Sequence, residues 1–208
     1  PFALERGLIK PEKDKTNIRI FMENSEQVAI STDETPKRKL TYEGHTYIDG
    51  VTLPSAPISL EFLDIEGSLC GELLPSGSTK DEVDGYSLTM IDNGMPCVII
   101  KGSDFGITGQ ETRHQLELNS EVKSAIESIR LKAGSLMELG DVTKKSVPKM
   151  TLVSEPLNGG LLNTRSFIPH RVHASIGVFA AITVATACVI PNTVAASLAS
   201  LPDGGIYK

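Results

Sequence analysis

Between Arg171 and Asp203 the chain carries no Lys, Arg, Asp or Glu, and residues 174–190 are almost all apolar or small. As a helix those 17 residues rise about 26 Å, short of the roughly 30 Å of a hydrocarbon core. Ser175, Gly177, Thr183 and Thr186 dilute the run and Pro191 ends it, so a membrane span is not expected. A helix apolar on every side in a water-soluble fold has to be covered on every side. Gly177, Ala180, Ala181, Ala185 and Cys188 are small enough to let strands come close. The expectation is a central helix over about 174–190, wrapped by sheet.

With 208 residues there is enough chain for one large domain or two small ones with a real core. A net charge of −6, 5% aromatic residues and no Trp exclude nucleic acid as the main partner, since phosphates need a basic face and bases need stacking platforms. Charge is uneven. Residues 1–141 hold 14 Lys and Arg against 24 Asp and Glu, a balance of −10; residues 142–208 hold 6 against 2, a balance of +4. An anionic ligand would prefer the last third, although a solvated basic face gives the same imbalance. Cys70, Cys97 and Cys188 are too few and too widely spaced for a disulfide framework, which fits a reducing cytoplasm. The opening Pro1-Phe2-Ala3-Leu4-Glu5-Arg6 has charge where a signal peptide needs its apolar core. It reads as a chain cut from a longer one.

Short strands are expected at 16–22, 27–31, 39–42 and 58–64, the last alternating Ile58, Leu60 and Phe62 with polar neighbours. The turn-rich stretch 74–81 is the expected linker, dividing the chain into domains 1–80 and 81–208. Beyond it come strands at 86–91 and 97–101. An amphipathic helix over 120–131 presents Val122, Ala125, Ile126, Ile129 and Ala133 on one face, with Asn119 or Ser120 as cap and Gly134 as stop. Runs 149–154 and 161–168 flank Asn158-Gly159-Gly160 as a hairpin.

Thr164-Arg165-Ser166-Phe167-Ile168-Pro169-His170-Arg171-Val172-His173 leads into the uncharged run. A helix start presents unpaired N–H groups and a positive dipole end. Arg165 and Arg171 add fork-shaped carboxylate donors, and His170 and His173 add groups that move protons near neutral pH. Such a set would hold a polycarboxylate. The same residues also suit a strand with Arg165 facing water and histidines that merely cap a helix. His170 and His173 have no third ligand nearby and no HExxH pattern, so no metal is expected. The turn Asp92-Asn93-Gly94-Met95-Pro96 could offer backbone N–H groups to a ligand or simply join two strands. Cys97 heads the apolar Val98-Ile99-Ile100 and belongs in a core. Phosphate loops, a GxSxG elbow and zinc signatures are absent.

The run Arg165 to Val178, continued by Ala185-Thr186-Ala187-Cys188 and Pro191, resembles the 2-methylaconitate cis–trans isomerase (PrpF) family. So do, in family order, Pro1 to Ile9, Ile48-Asp49-Gly50-Val51, Leu73-Leu74-Pro75-Ser76-Gly77, Asp92 to Pro96, Gly106-Ile107-Thr108-Gly109-Gln110-Glu111 and Val147-Pro148-Lys149. The resemblance implies an α+β, diaminopimelate-epimerase-like fold: two pseudo-symmetric domains of curved mixed sheet around a central helix, with the first domain incomplete here. It implies a cofactor-independent isomerase that moves a proton within a small polycarboxylate, by keto–enol tautomerisation or by cis–trans isomerisation, in the breakdown of aromatic acids. His173 and His170 would be the proton-transfer groups; Arg165, Ser166, Arg171, Asp92, Asn93 and Gly94 would face the substrate. A homodimer is the assembly to expect. The family's first strands and a Cys-Gly-Asn motif would precede Pro1, Asn192 stands where relatives have Gly, and Leu53-Pro54-Ser55 replaces a Pro-Gly-Thr-like turn. A carboxylate-binding remnant without turnover is the third expectation to test.

Overall fold

The computed structural model describes residues 1–23, 26–48, 51–157 and 159–202. Two compact units divide the chain, Pro1–Ile65 and Glu66–Lys208. The division precedes the expected linker at 74–81. Turn residues there are tied into the second unit: Leu73 and Leu74 pack into its core, and the Ser76 hydroxyl donates to Asp81 at 2.7 Å.

The first unit holds a short helix α1 (Phe2–Glu5) and an antiparallel sheet of β1 (Lys15–Met22), β2 (Gln27–Glu34) and β3 (Ile58–Phe62), in that order. Period-two burial explains β2: Ala29, Ser31 and Asp33 face inward while their neighbours are half-buried. No strand forms at 39–42. Lys37 and Arg38 take positive φ values of 53° and 60°, which turns the chain after Pro36 and leaves that stretch irregular. Asp49 and Gly50 of the Ile48–Val51 motif lie outside the described residues.

The second unit is a five-stranded sheet in the order β4 (Asp81–Val83), β5 (Tyr86–Asp92), β6 (Pro96–Lys101), β7 (Lys149–Ser154) and β8 (Asn163–Phe167). Only β6 and β7 run parallel; their crossover carries α2 (Arg113–Leu118) and α3 (Ser120–Leu136). Strands β5 to β7 read as nearly continuous apolar runs because both faces are covered. On one face Leu88, Met90, Val98, Ile100, Met150 and Leu152 meet Val122, Ile126, Ile129, Ala133 and Met137 of α3. On the other, Ile91, Cys97, Ile99 and Val153 meet Ala180, Val184, Ala187 and Cys188 of α4 (Val178–Val189).

Helix α3 starts where expected, with Asn119 Oδ1 accepting from the Val122 amide at 3.1 Å, but it runs past Gly134. That glycine is no stop: a Cβ there would lie 2.5 Å from a Val142 methyl, so its bareness serves close packing. Helix α4 begins four residues later than expected, and its outer face is open at Val178 and Val189. Residues 172–177 are engaged otherwise. Strand β8 turns at 168–171, Ile168 N–H donates to Arg171 O, and the returning His173 N–H donates to Ser166 O, both at 2.8 Å. Strands β7 and β8 form the expected hairpin, shortened at both ends of the second arm; Asn158 of its turn lies outside the described residues.

Candidate functional site

The β8 hairpin places His173 beside Ser166, and three recesses of the second unit meet at His173. One of about 410 Å³ is lined by Arg113, Asn163, Arg165, Ser166, His173 and Ser175, among others. This is a size typical of small-molecule sites. Another, of about 180 Å³, lies at the start of α4 and shares Ser166 and His173 with the first; Lys149 lines it too. A third, about 330 Å³, is bounded by Arg113, Arg171 and His173.

Each cation is placed by its backbone. The loop before α2 is tied to β8: Glu111 accepts from the Thr108 and Gly109 amides at 2.8 Å, and Asn163 Nδ2 donates to Gly109 O at 2.7 Å. Glu111's carboxyl sits below its ordinary range because these amide and hydroxyl donors outweigh its partial desolvation. Arg165 Nε donates to Glu111 O at 3.2 Å, and its Nη1 donates to Thr164 O at 2.9 Å, so its guanidinium lies along the recess wall. Gly109 has φ +88°, and an added Cβ would overlap Ser154 Oγ and lie 2.6 Å from Asn163 Nδ2. Gly109→Ala is therefore expected to cost about 1–3 kcal/mol, read as a shift of the chemical denaturation midpoint; an unchanged midpoint would contradict this.

Helix α2 grips the peptide just ahead of His173. Arg113 Nε donates to Val172 O at 2.9 Å, and the Val172 N–H donates to Glu117 Oε1 at 2.6 Å. Lys123 Nζ, 2.9 Å from Glu117 Oε2, holds the Glu117 carboxyl below its ordinary range; partial burial opposes this and the Val172 amide adds to it. A depressed folded pKa means the grip persists above the unfolded value of about 4.3 and is lost as pH falls through the lower folded value. The Val172 amide resonance is expected to hold its position down to about pH 4 and to move only below it; a transition near neutrality would contradict that.

His173 itself is exposed, and its Nδ1 faces Ser175 O within bonding reach. The Ser175 N–H also lies 3.3 Å from Nδ1 and donates to it when Nδ1 is bare, so the tautomer decides which ring nitrogen accepts: Nε2 when Nδ1–H donates to Ser175 O, Nδ1 otherwise. Ser166 is 7% exposed and shares a 3.1 Å hydrogen bond with Thr151.

Other expected site residues lie elsewhere. His170 lines none of the three recesses; its Nδ1 lies 3.7 Å from Glu127 Oε2, within the 168–171 turn that precedes His173. Asp92 is fully buried because its Oδ2 accepts from the Leu69 and Cys70 amides at 2.8 and 2.9 Å. Asn93 is held by α4, its Nδ2 donating to Thr186 Oγ1 at 2.8 Å and its O accepting from Thr183 at 2.9 Å. With Gly94, these residues line none of the three recesses; the turn locks α4 to the sheet. Arg171 does line the third. Cys97 is a core residue whose thiol burial pushes up, as it does Cys70 to about 12 and Cys188 to about 11, so none is a ready thiolate.

Arg113 and Lys149 were not singled out as site residues from the sequence. Thr112-Arg113-His114-Gln115 is a capping box that marks the start of α2, and Lys149 is a cation heading an otherwise buried strand. Among the described residues, no group of three His, Cys, Asp or Glu side chains is arranged to hold a metal, and no helix is long and apolar enough to cross a membrane.

A mixed sheet packed by helices on both faces, with cationic recesses at one helix start, belongs to the diaminopimelate-epimerase-like class. The fold matches the crystal structure of methylitaconate-delta-isomerase with a TM-score of 0.87 at 22% identity, over 98% of this chain and 59% of that one. The PrpF protein family matches residues 1–205, and the chain belongs to that family. It is 56% identical to (4E)-oxalomesaconate Delta-isomerase of Novosphingobium sp. (strain KA1) and 51% identical to 4-oxalomesaconate tautomerase of Pseudomonas putida, each over 98% of this chain. The 2-methyl-aconitate isomerase of Shewanella oneidensis is 27% identical over the whole chain. The chain spans 57%, 56% and 58% of the lengths of these three relatives.

Proposed function

We propose that this chain forms the polycarboxylate-holding part of an isomerase that interconverts the keto and enol forms of 4-oxalomesaconate. The carrying observation is the 410 Å³ recess in which Arg113, Arg165, Ser166 and His173 converge. The similarity to relatives named for 4-oxalomesaconate supports the choice of substrate over 2-methylaconitate.

The chemistry follows from the groups present. Arginine forks pair with carboxylates and fix the substrate's orientation. A base takes a proton from the carbon beside the keto group, and the C–H electron pair becomes the C=C bond while charge moves to oxygen. His173 Nε2 is the acceptor in this reading. Ser166, the arginines and the start of α4 stabilise the oxyanion. The imidazolium then returns its proton to that oxygen, which gives the enol with no net gain or loss of atoms. The three buried, unpaired cysteines support a reducing, cytoplasmic setting.

Turnover of 4-oxalomesaconate by the full-length protein, followed by ultraviolet absorbance, tests this reading. Accelerated keto–enol exchange supports it. Exchange no faster than in buffer, with turnover of 2-methylaconitate instead, overturns it.

A further inference from the structure

The smaller recess at the start of α4 carries a second assignment. Lys149 opens β7, where the parallel register sets it beside Cys97 of β6. Its side chain is half-buried and lines the 180 Å³ recess together with Ser166 and His173; Met95, Ile168, Val178, Phe179 and Ala180 supply apolar walls. Among the described residues no Asp or Glu pairs with Lys149. Its charged surroundings are unfavourable: Cys97 stays a neutral thiol, and the other charge close enough to act on Lys149 is the Arg130 guanidinium. Burial, with a smaller contribution from Arg130, pushes the Lys149 ammonium below its ordinary range, against an opposing influence of Cys97. A half-buried cation beside another cation lacks a counter-charge, and burial makes that lack costly.

We propose that Lys149 binds a second carboxylate of the polycarboxylate, in the small recess, while Arg113 and Arg165 hold another in the large one. This rests on the reading of the site given above. The two recesses share Ser166 and His173, so a molecule whose carboxylates occupy both places its connecting carbons against His173. The small recess thereby selects tricarboxylates over shorter acids, because a ligand that fills only the large recess leaves the ammonium unpaired. The apolar walls strengthen that pairing by excluding water.

Calorimetric titration of the full chain with tricarballylate, an unreactive tricarboxylate, tests the assignment without depending on turnover. Lys149→Met is expected to weaken binding about 10- to 100-fold, the loss typical of one hydrogen bond to a charged group. Lys149→Arg, which keeps the charge, is expected to recover most of it. Should the Met variant fail to fold, the wild-type chain still decides: saturating tricarballylate should protect Lys149 from reductive methylation, while Lys10 and Lys13 react as before. Unchanged affinity in Lys149→Met, or equal methylation of Lys149 with and without ligand, overturns the assignment. If keto–enol turnover is observed in that case, the functional reading survives and only the second subsite falls. If tricarballylate binds through Lys149 but 4-oxalomesaconate is not turned over, the subsite survives and the choice of reaction falls.

Discussion

Arg130→Ala is expected to lower the unfolding free energy by about 2–4 kcal/mol, toward the lower end of the range for breaking a buried ion pair from one side, because only the guanidinium is fully buried. The Arg130 side chain is fully buried in α3 and makes a two-pronged pair with Glu127, Nε to Oε2 at 2.7 Å and Nη2 to Oε1 at 2.8 Å. Its Nη1 also donates to the carbonyls of Val142, Lys145 and Val147 at 3.0, 3.2 and 3.0 Å. One guanidinium thus gathers the loop that delivers Lys149 to the sheet. Truncation leaves the Glu127 carboxylate, itself 23% exposed, without its partner and three carbonyls without their donor, the Val142 carbonyl in a buried contact. Lysine cannot substitute, since its three donors lack the planar fork. Urea denaturation followed by circular dichroism gives the measurement; a loss below about 1 kcal/mol would mean the pair is no stronger than a surface salt bridge.

His173→Ala is expected to lower turnover of 4-oxalomesaconate by the full-length protein about 100-fold, the usual contribution of a positioned acid–base group. The fall should appear in kcat more than in KM, because the imidazole is needed chiefly when the proton moves. His170→Ala should leave turnover near wild type, since that ring lies beside Glu127 and lines none of the recesses. Equal losses in the two variants would return both histidines to a structural role in the 168–171 turn.

The contrast between these histidines shows where sequence reading stops. In the linear pattern both precede an apolar helix by a few residues, and both suit an anion site. What separates them is a turn between Ile168 and Arg171, set by long-range pairing of Val172 with Glu117 and Arg113. The strand that carries Arg165 and Ser166 to the edge of the large recess was legible because its hairpin partner was also legible. Asp92 and Asn93 show how a polar turn between two apolar strands can be engaged internally: the amides of Leu69 and Cys70 donate to Asp92 Oδ2, and Thr183 and Thr186 bond Asn93, while Asp92 Oδ1 is buried without a hydrogen-bond partner among the described residues.

For the fold, the apolar face of α3 and the apolar runs of β5 to β7 located their elements to within a few residues because they report burial; alternation did not do so everywhere, since 39–42 forms no strand and the alternating Ile58 and Leu60 of β3 are exposed. The start of α4 lies later than expected because apolar character alone does not distinguish helix from the irregular 174–177 segment that precedes it. Gly134 shows the complementary error: a glycine read as a helix stop can instead be the place where another chain segment needs room.

The central claim is that His173, and not His170, borders the polycarboxylate. Nitrogen-15 spectra of the histidine side chains, recorded while tricarballylate is added, test it directly. The His173 ring resonances should move and saturate with ligand while those of His170 stay fixed. Resonances of His173 that ignore the ligand, or of His170 that follow it equally, would contradict the account.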